Sequence, residues 1–209
     1  MICILGGTFD PVHFGHLRPA LDVQQALGVD CVYLLPCRTP PHREPPQLDG
    51  SQRLALLQLA IAGEPGLAVD ERELQRDGPS YMVDTLSSLR AQHGERPLCL
   101  ALGMDALTGL DRWHRWEEIP ALCHLVVMHR PGNDWPLQGV LAERLGPLRV
   151  ADVEALRARP AGAVLTVPVT QMAVSSTRIR ELLAGGRSAR YLLPTAVLER
   201  IKQENWYAN

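Results

Sequence analysis

The sequence predicts an α/β fold, a mainly parallel sheet with helices on both faces, and three observations carry that expectation. Short apolar runs of strand length recur at Ile2–Leu5, Cys31–Leu35, Leu67–Asp70, Leu98–Leu102, His124–Met128 and Ala163–Val167. Stretches with helical spacing lie between them, at Gly15–Leu27, Ser51–Ala62, Tyr81–Gln92 and Met104–Gly109. The runs are short and largely apolar, as strands covered on both faces are. Together these features describe a doubly wound, Rossmann-like sheet, in which ligands bind beyond the carboxyl ends of strands where the order reverses. At 209 residues the chain suits one sizeable domain, read here as residues 1–209.

The first strand runs straight into GGTFDPVHFGH, from Gly6 to His16. Its glycines let backbone approach a ligand with no Cβ in the way. The helix that follows carries Leu17, Ala20, Leu21, Gln24 and Leu27 at helical spacing. Its start points free N–H groups at the turn, as anion sites do. His13 and His16 lie at the turn and the first helical residues, so both imidazoles can face one anion. Capping or packing is the plainer alternative for them. After the second strand, Pro36 to Gly50 holds five prolines with Arg38, His42 and Arg43. It can be neither helix nor central strand. It reads either as a surface connection stiffened by proline or as a basic loop closing over phosphates. Arg130 to Pro136 reads as a turn in which Trp135 packs.

From Val174 onward two helices are expected, split by Gly185-Gly186 and the Tyr191–Pro194 break, giving a small helical extension over 174–209. Ser175, Ser176 and Thr177 precede the helical pattern Ile179, Leu182 and Leu183, an N-cap signal. Capping accounts for the hydroxyls. It does not account for Arg178 and Arg180, since cations in a first turn oppose the helix dipole by roughly 0.3–1 kcal/mol each. A bound anion reverses that penalty, because guanidinium forks suit phosphate.

Bulk composition excludes several classes. A net charge of −2 gives no general field for nucleic acid or an anionic membrane. With 46% hydrophobic and 21% charged residues the chain is not of disordered composition. No apolar stretch approaches the ~18–20 residues that span a bilayer. The N-terminus enters the first strand without a signal-peptide pattern, so a cytoplasmic protein is expected. The five cysteines form no Cys-x-x-Cys pair and read as reduced, mostly buried thiols. His13 and His16 lack nearby partners for a closed zinc tetrahedron, and no protein metal site is expected.

The pattern Gly7-x-Phe9-x-Pro11-x-His13-x-Gly15-His16 resembles the signature of the nucleotidyltransferase superfamily, which joins a phosphomonoester to a nucleoside triphosphate. Val174 to Arg180 resembles its second signature, Ile-Ser-Ser-Thr-x-Ile-Arg, with Val174 for Ile. Further segments are similar to the bacterial nicotinate-mononucleotide adenylyltransferases. Pro40-Pro41-His42-Arg43, followed by Arg53, resembles their Pro-Pro-His-Lys loop. Pro79 to Thr85 resembles Pro-Ser-Tyr-Thr-x-Asp-Thr, and Gly103 to Leu107 with Trp113 resembles Gly-Ala-Asp-x-Leu … Trp-Tyr. Tyr191-Leu192-Leu193-Pro194 extends the likeness to the end of the chain. Met82 stands for Thr, Met104 for Ala, Arg43 for Lys and His114 for Tyr.

The resemblance implies ATP and nicotinate mononucleotide as small-molecule partners, Mg²⁺ with the ATP, and no nucleic acid or membrane; a homo-oligomer is left open. It implies an ATP site of Gly6, Gly7, Thr8, Phe9, His13, His16, Gly103, Asp105, Ser175, Ser176, Thr177, Arg178 and Arg180. Of these, His16, His13 and Arg180 would serve catalysis. It implies a nicotinate mononucleotide site of Thr8, Arg43, Tyr81, Thr85, Trp113 and His114. There Trp113 would stack on the pyridine ring, and backbone N–H groups of Thr85 and His114 would hold its carboxylate. Core packing remains the alternative for Trp113 with Trp116, and an Asx cap for Asp105.

Overall fold

A computed structural model describes residues 1–40, 44–129 and 138–208. Its six strands are β1 (Ile2–Gly7), β2 (Val32–Pro36), β3 (Leu67–Val69), β4 (Leu98–Gly103), β5 (His124–His129) and β6 (Val164–Pro168). They form one sheet in the order β3-β2-β1-β4-β5-β6, with every neighbouring pair parallel. The doubly wound, Rossmann-like expectation holds. The α-helices among the described residues are α1 (Phe14–Leu27), α2 (Gly50–Ile61), α3 (Arg72–Gln75), α4 (Met82–His93), α5 (Met104–Thr108), α6 (Ile119–Leu122), α7 (Gly139–Leu145), α8 (Glu154–Arg157), α9 (Ser176–Ala184) and α10 (Thr195–Gln203).

Alternate side chains of each strand serve opposite faces. Cys3 and Leu5 of β1 join one core with Leu17, Ala20 and Val23 of α1, Ile179 of α9 and Ile201 of α10. Ile2 and Ile4 join the other, with Val83, Leu86 and Leu89 of α4. Both faces are covered, which is why the strands read as apolar runs. All five cysteines are free thiols, and Cys3, Cys99 and Cys123 are buried. Burial pushes the Cys99 thiol up to about 12, so it stays protonated and unreactive.

The sheet order reverses between β1 and β4, and the chain leaves both strands through glycine, at Gly7 and Gly103. α1 ends on Gly28, whose left-handed φ of 59° closes the last turn. The two predicted C-terminal helices are α9 and α10, and α10 packs on α2. Among the described residues, no helix is long and apolar enough to cross a membrane.

Candidate active site

Beyond β1 and β4 lies a cleft of about 220 Å³ lined by Gly6, Gly15, His16, Gly103, Gln171 and Met172, among others. A Cβ on Gly103 would meet nothing, so its backbone is open to a ligand. A Cβ on Gly6 would come within 2.9 Å of Met82 Cε, and one on Gly7 within 2.9 Å of the Phe9 ring. Glycine at both positions therefore lets the turn close over its own neighbours. Phe9 holds φ at 51°, an uncommon backbone for a non-glycine residue, and its ring is buried.

The histidine pair differs sharply within itself. The two rings stack with centroids 3.7 Å apart, and the Phe9 ring meets His16 edge-on at 5.0 Å. His16 Nδ1 accepts the His13 backbone N–H at 3.3 Å, which favours the neutral tautomer with its proton on Nε2. His16 also lines the cleft. His13 is buried, its Nδ1 has no hydrogen-bond partner, and burial brings its imidazole down to about 4. It is a neutral ring at pH 7.

The segment from the far end of the chain lies directly against this motif. Ser175 caps α9 by accepting the Arg178 N–H at 3.2 Å. Ser176 Oγ donates to Pro11 O at 2.9 Å, and Arg180 Nη1 donates to Asp10 O at 2.6 Å. A Cβ on Gly15 would stand 2.8 Å from Val174 Cγ1. The two arginines of the first turn part company. Arg178 pairs with Glu181 on the surface at 3.3 Å, whereas Arg180 turns inward and also has Thr177 Oγ1 at 3.5 Å.

The second group of predicted residues gathers at the start of α4. The Tyr81 and His114 rings lie 4.2 Å apart. Arg115 pairs with Asp84 at 3.5 Å, both largely exposed. Trp113 is half-buried at the edge of the second core. It and Trp116 sit on separate short turns, not on one helix, so helical i,i+3 packing does not describe them. Asp105 is exposed in the first turn of α5, whose N-cap is Gly103 and not an Asx side chain. Thr85 is wholly buried. Its hydroxyl donates to Glu73 Oε1 at 2.6 Å and accepts from Arg76 Nη2 at 3.1 Å, while its amide donates to Tyr81 O at 3.3 Å. That amide is thus engaged within α4. Arg43 lies outside the described residues, as do Pro41, His42 and Arg130 to Pro136. Arg38 of the same basic loop is taken up by Asp77 at 2.6 Å.

A model described as cytidylyltransferase-like matches residues 4–182. A probable nicotinate-nucleotide adenylyltransferase of Methylococcus capsulatus is 50% identical over 209 residues, covering 100% of both chains. The Aeromonas salmonicida protein of the same name is 48% identical over 99% of this chain and 96% of its own. The chain belongs to the nicotinate-nucleotide adenylyltransferase family. The fold likeness reaches further. The Plasmodium falciparum nicotinic acid mononucleotide adenylyltransferase complexed with NaAD superposes with a TM-score of 0.72 at 15% identity, over 99% of this chain and 96% of that one.

Three residues of this family member have structural roles that motif reading does not supply. Asp10 is 3% exposed and accepts from the backbone N–H groups of Gln47 (2.8 Å) and Leu48 (3.3 Å) and from Tyr207 (2.5 Å). Arg53, fully buried, donates to three carbonyls: Thr8 O at 2.7 Å, Leu48 O at 3.1 Å and Arg38 O at 3.4 Å. It fixes the Thr8 peptide from behind. Glu73 is buried beneath Thr85, and burial raises its carboxyl above the ordinary range. Only Arg53 had a sequence signal, as the basic residue following the proline loop. Asp10 sits inside the motif but has no partner visible in sequence.

Proposed function

We propose that this protein transfers the adenylyl group of ATP to nicotinate mononucleotide, giving deamido-NAD and pyrophosphate by direct in-line attack. The observation that carries the reading is the contact between two helix starts: α1 with His16, and α9 with Arg180, meet across Asp10 and Pro11. Both termini offer N–H groups to one electropositive region, where a triphosphate is favoured.

In the reaction a phosphomonoester oxygen bonds to the α-phosphorus, and the bond from that phosphorus to the β-phosphate's bridging oxygen breaks. Pyrophosphate leaves with the electron pair. The attacking group has a second pKa near 6, so at pH 7 it is already largely an anion and needs no general base. The difficulty is bringing two polyanions into line, for which positioning supplies up to roughly 7–11 kcal/mol in ideal cases. His16 Nε2–H stabilises charge on the five-coordinate α-phosphate. Neutral His13 stacks behind it and holds its ring in place, with backbone N–H groups near Thr8 and Phe9 on adjacent oxygens. Arg180 takes the pyrophosphate leaving group, joined by Arg178 once phosphate replaces Glu181 as its partner; the same role is proposed for Arg43. Trp113, Tyr81 and His114 receive the pyridine ring, and an indole face suits a flat, electron-poor partner. Mg²⁺ supplies charge neutralisation on the triphosphate. Among the described residues no group of three His, Cys, Asp or Glu side chains could hold an ion. The ion would be carried mainly by phosphate oxygens and water, as Mg²⁺ with a nucleotide usually is. The 1–209 chain acts as one domain in the cytoplasm on small molecules.

Pyrophosphate release from ATP, with nicotinate mononucleotide compared against nicotinamide mononucleotide, tests the reading. Turnover with the acid far above the amide is expected. Equal rates would move the protein to a sibling specificity, and release with neither would end the proposal.

A further inference from the structure

After α10 the backbone leaves helical geometry, and Asn205 and Tyr207 take left-handed φ values of 55° and 62°. Non-glycine residues hold such angles at a cost of order 1 kcal/mol or more, so surrounding contacts must impose them. What the turn achieves is burial of the Tyr207 ring against the core beneath α1 and α9, with its hydroxyl 2.5 Å from Asp10 Oδ1. Burial and the neighbouring carboxylate push the phenol up, so it remains a donor throughout the working pH range.

Asp10 is thereby divided among three partners. Oδ2 accepts from Gln47 and Oδ1 from Leu48 and Tyr207. Arg180 meets the same residue at two points: its Nη1 donates to Asp10 O at 2.6 Å but stands 3.7 Å from Oδ2. A guanidinium beside a carboxylate ordinarily closes to a short, often bidentate pair. Here it is held off, and the Arg180 side chain keeps 25% of its surface exposed.

We infer that Tyr207 is a positioning residue for the triphosphate end of the site: its hydroxyl pins the Asp10 carboxylate on the 47–48 backbone and so leaves Arg180 free to meet phosphate. Without that hydroxyl, Oδ1 retains only the long bond from Leu48, and the carboxylate rotates onto Arg180. The guanidinium then spends its charge within the protein. This inference rests on the assignment of Arg180 to the pyrophosphate end.

Tyr207→Phe keeps the packed ring and removes only the hydroxyl. It is compared with Arg180→Gln and the double variant in steady-state kinetics, varying ATP at saturating nicotinate mononucleotide and then the reverse. Expected is a loss of about tenfold in kcat/KM for ATP, the scale of one hydrogen bond to a charged group. KM for the pyridine nucleotide should stay unchanged, and melting should stay cooperative. In the Arg180→Gln background the same substitution should cost nothing further. Wild-type kinetics for Tyr207→Phe, an equal loss in both backgrounds, or loss of cooperative melting would each overturn the positioning role and leave the Arg180 assignment standing. Unchanged ATP kinetics in Arg180→Gln would overturn that assignment, and this inference with it.

Discussion

The half of the site proposed to hold phosphate is assembled from both ends of the chain and closed by buried hydrogen bonds. The half proposed to receive the pyridine ring draws on residues 72 to 118 and presents much of its polar chemistry at the surface. In the first, Asp10 and Arg53 are all but solvent-free and, the Arg53–Leu48 bond apart, their side chains bond to partners far away in sequence. In the second, Arg115 pairs with Asp84 and Glu118 in the open, and only the Glu73–Thr85 contact is buried. The difference fits the chemistry proposed for each half. Charge developing on phosphorus is stabilised by donors fixed beforehand, because donors that must reorganise lose their advantage. A flat ring held by stacking tolerates a looser wall.

Substitutions in the phosphate half should therefore strike turnover and stability, and those in the ring half should strike one KM. The largest effect is expected for His16→Ala, which removes the donor whose tautomer the His13 amide sets. We expect kcat to fall by about 10²–10³ with the fold kept, the scale of one charge-stabilising donor. A variant within threefold of wild type at saturating ATP would take His16 out of the chemistry. Next comes Arg53→Met, which leaves the carbonyls of Thr8, Leu48 and Arg38 unpaired in the interior. Each orphaned buried group costs roughly 1–3 kcal/mol, so a loss of about 3 kcal/mol in urea unfolding is expected, with a raised KM for ATP. An unchanged midpoint would mean that the turn does not depend on this clamp.

The sheet was legible because strands buried on both faces have to be apolar. The six predicted runs fall within a residue or two of the observed strands, the differences lying at ends where pairing, not polarity, decides. β2, for example, continues through Pro36 because that residue pairs with Gly7 at the strand's end. The helices α3, α6 and α8, each of 4 residues, were not legible, since one turn is too short to show a period. In the site, what could be read was local: glycines in a turn, histidines three apart, arginines in a first turn. Asp10, Arg53 and Tyr207 act through partners distant in sequence, and nothing in their neighbours announces the meeting. Thr85 is a different case. Its position could be read, but its engagement with Glu73 and Arg76 depends on α3, an element too short to foresee.

A pH experiment sharpens the contrast inside the histidine pair. His13 is held at about 4 by burial, against an ordinary 6.5, so the folded protein binds its proton less readily than the unfolded chain. The resulting stability is full above pH 6.5, declines as pH falls toward 4, and changes no further below that. Its size is on the order of 3 kcal/mol. Glu73, raised by burial, contributes with the opposite sign, its part fading as pH rises. The measurement is therefore the difference in unfolding free energy between wild type and His13→Asn across pH 4–7. A difference that does not vary with pH would show that His13 titrates normally and is not sealed behind His16.

The smallest effect, and the one that isolates the ring half, is expected from Trp113→Ala. The indole is only half-buried at the margin of the second core, so its loss should lower the melting temperature by a few degrees at most. If the pyridine ring stacks there, KM for nicotinate mononucleotide rises by about tenfold, the upper scale of an aromatic contact beyond its buried area. KM for ATP and kcat should hardly move, because no described bond links Trp113 to Asp10, Arg53 or His16. Equal shifts in both KM values would mean that the residue supports the whole cleft as part of its core. The two halves would then be one mechanical unit, and the difference in their construction would carry no difference in function.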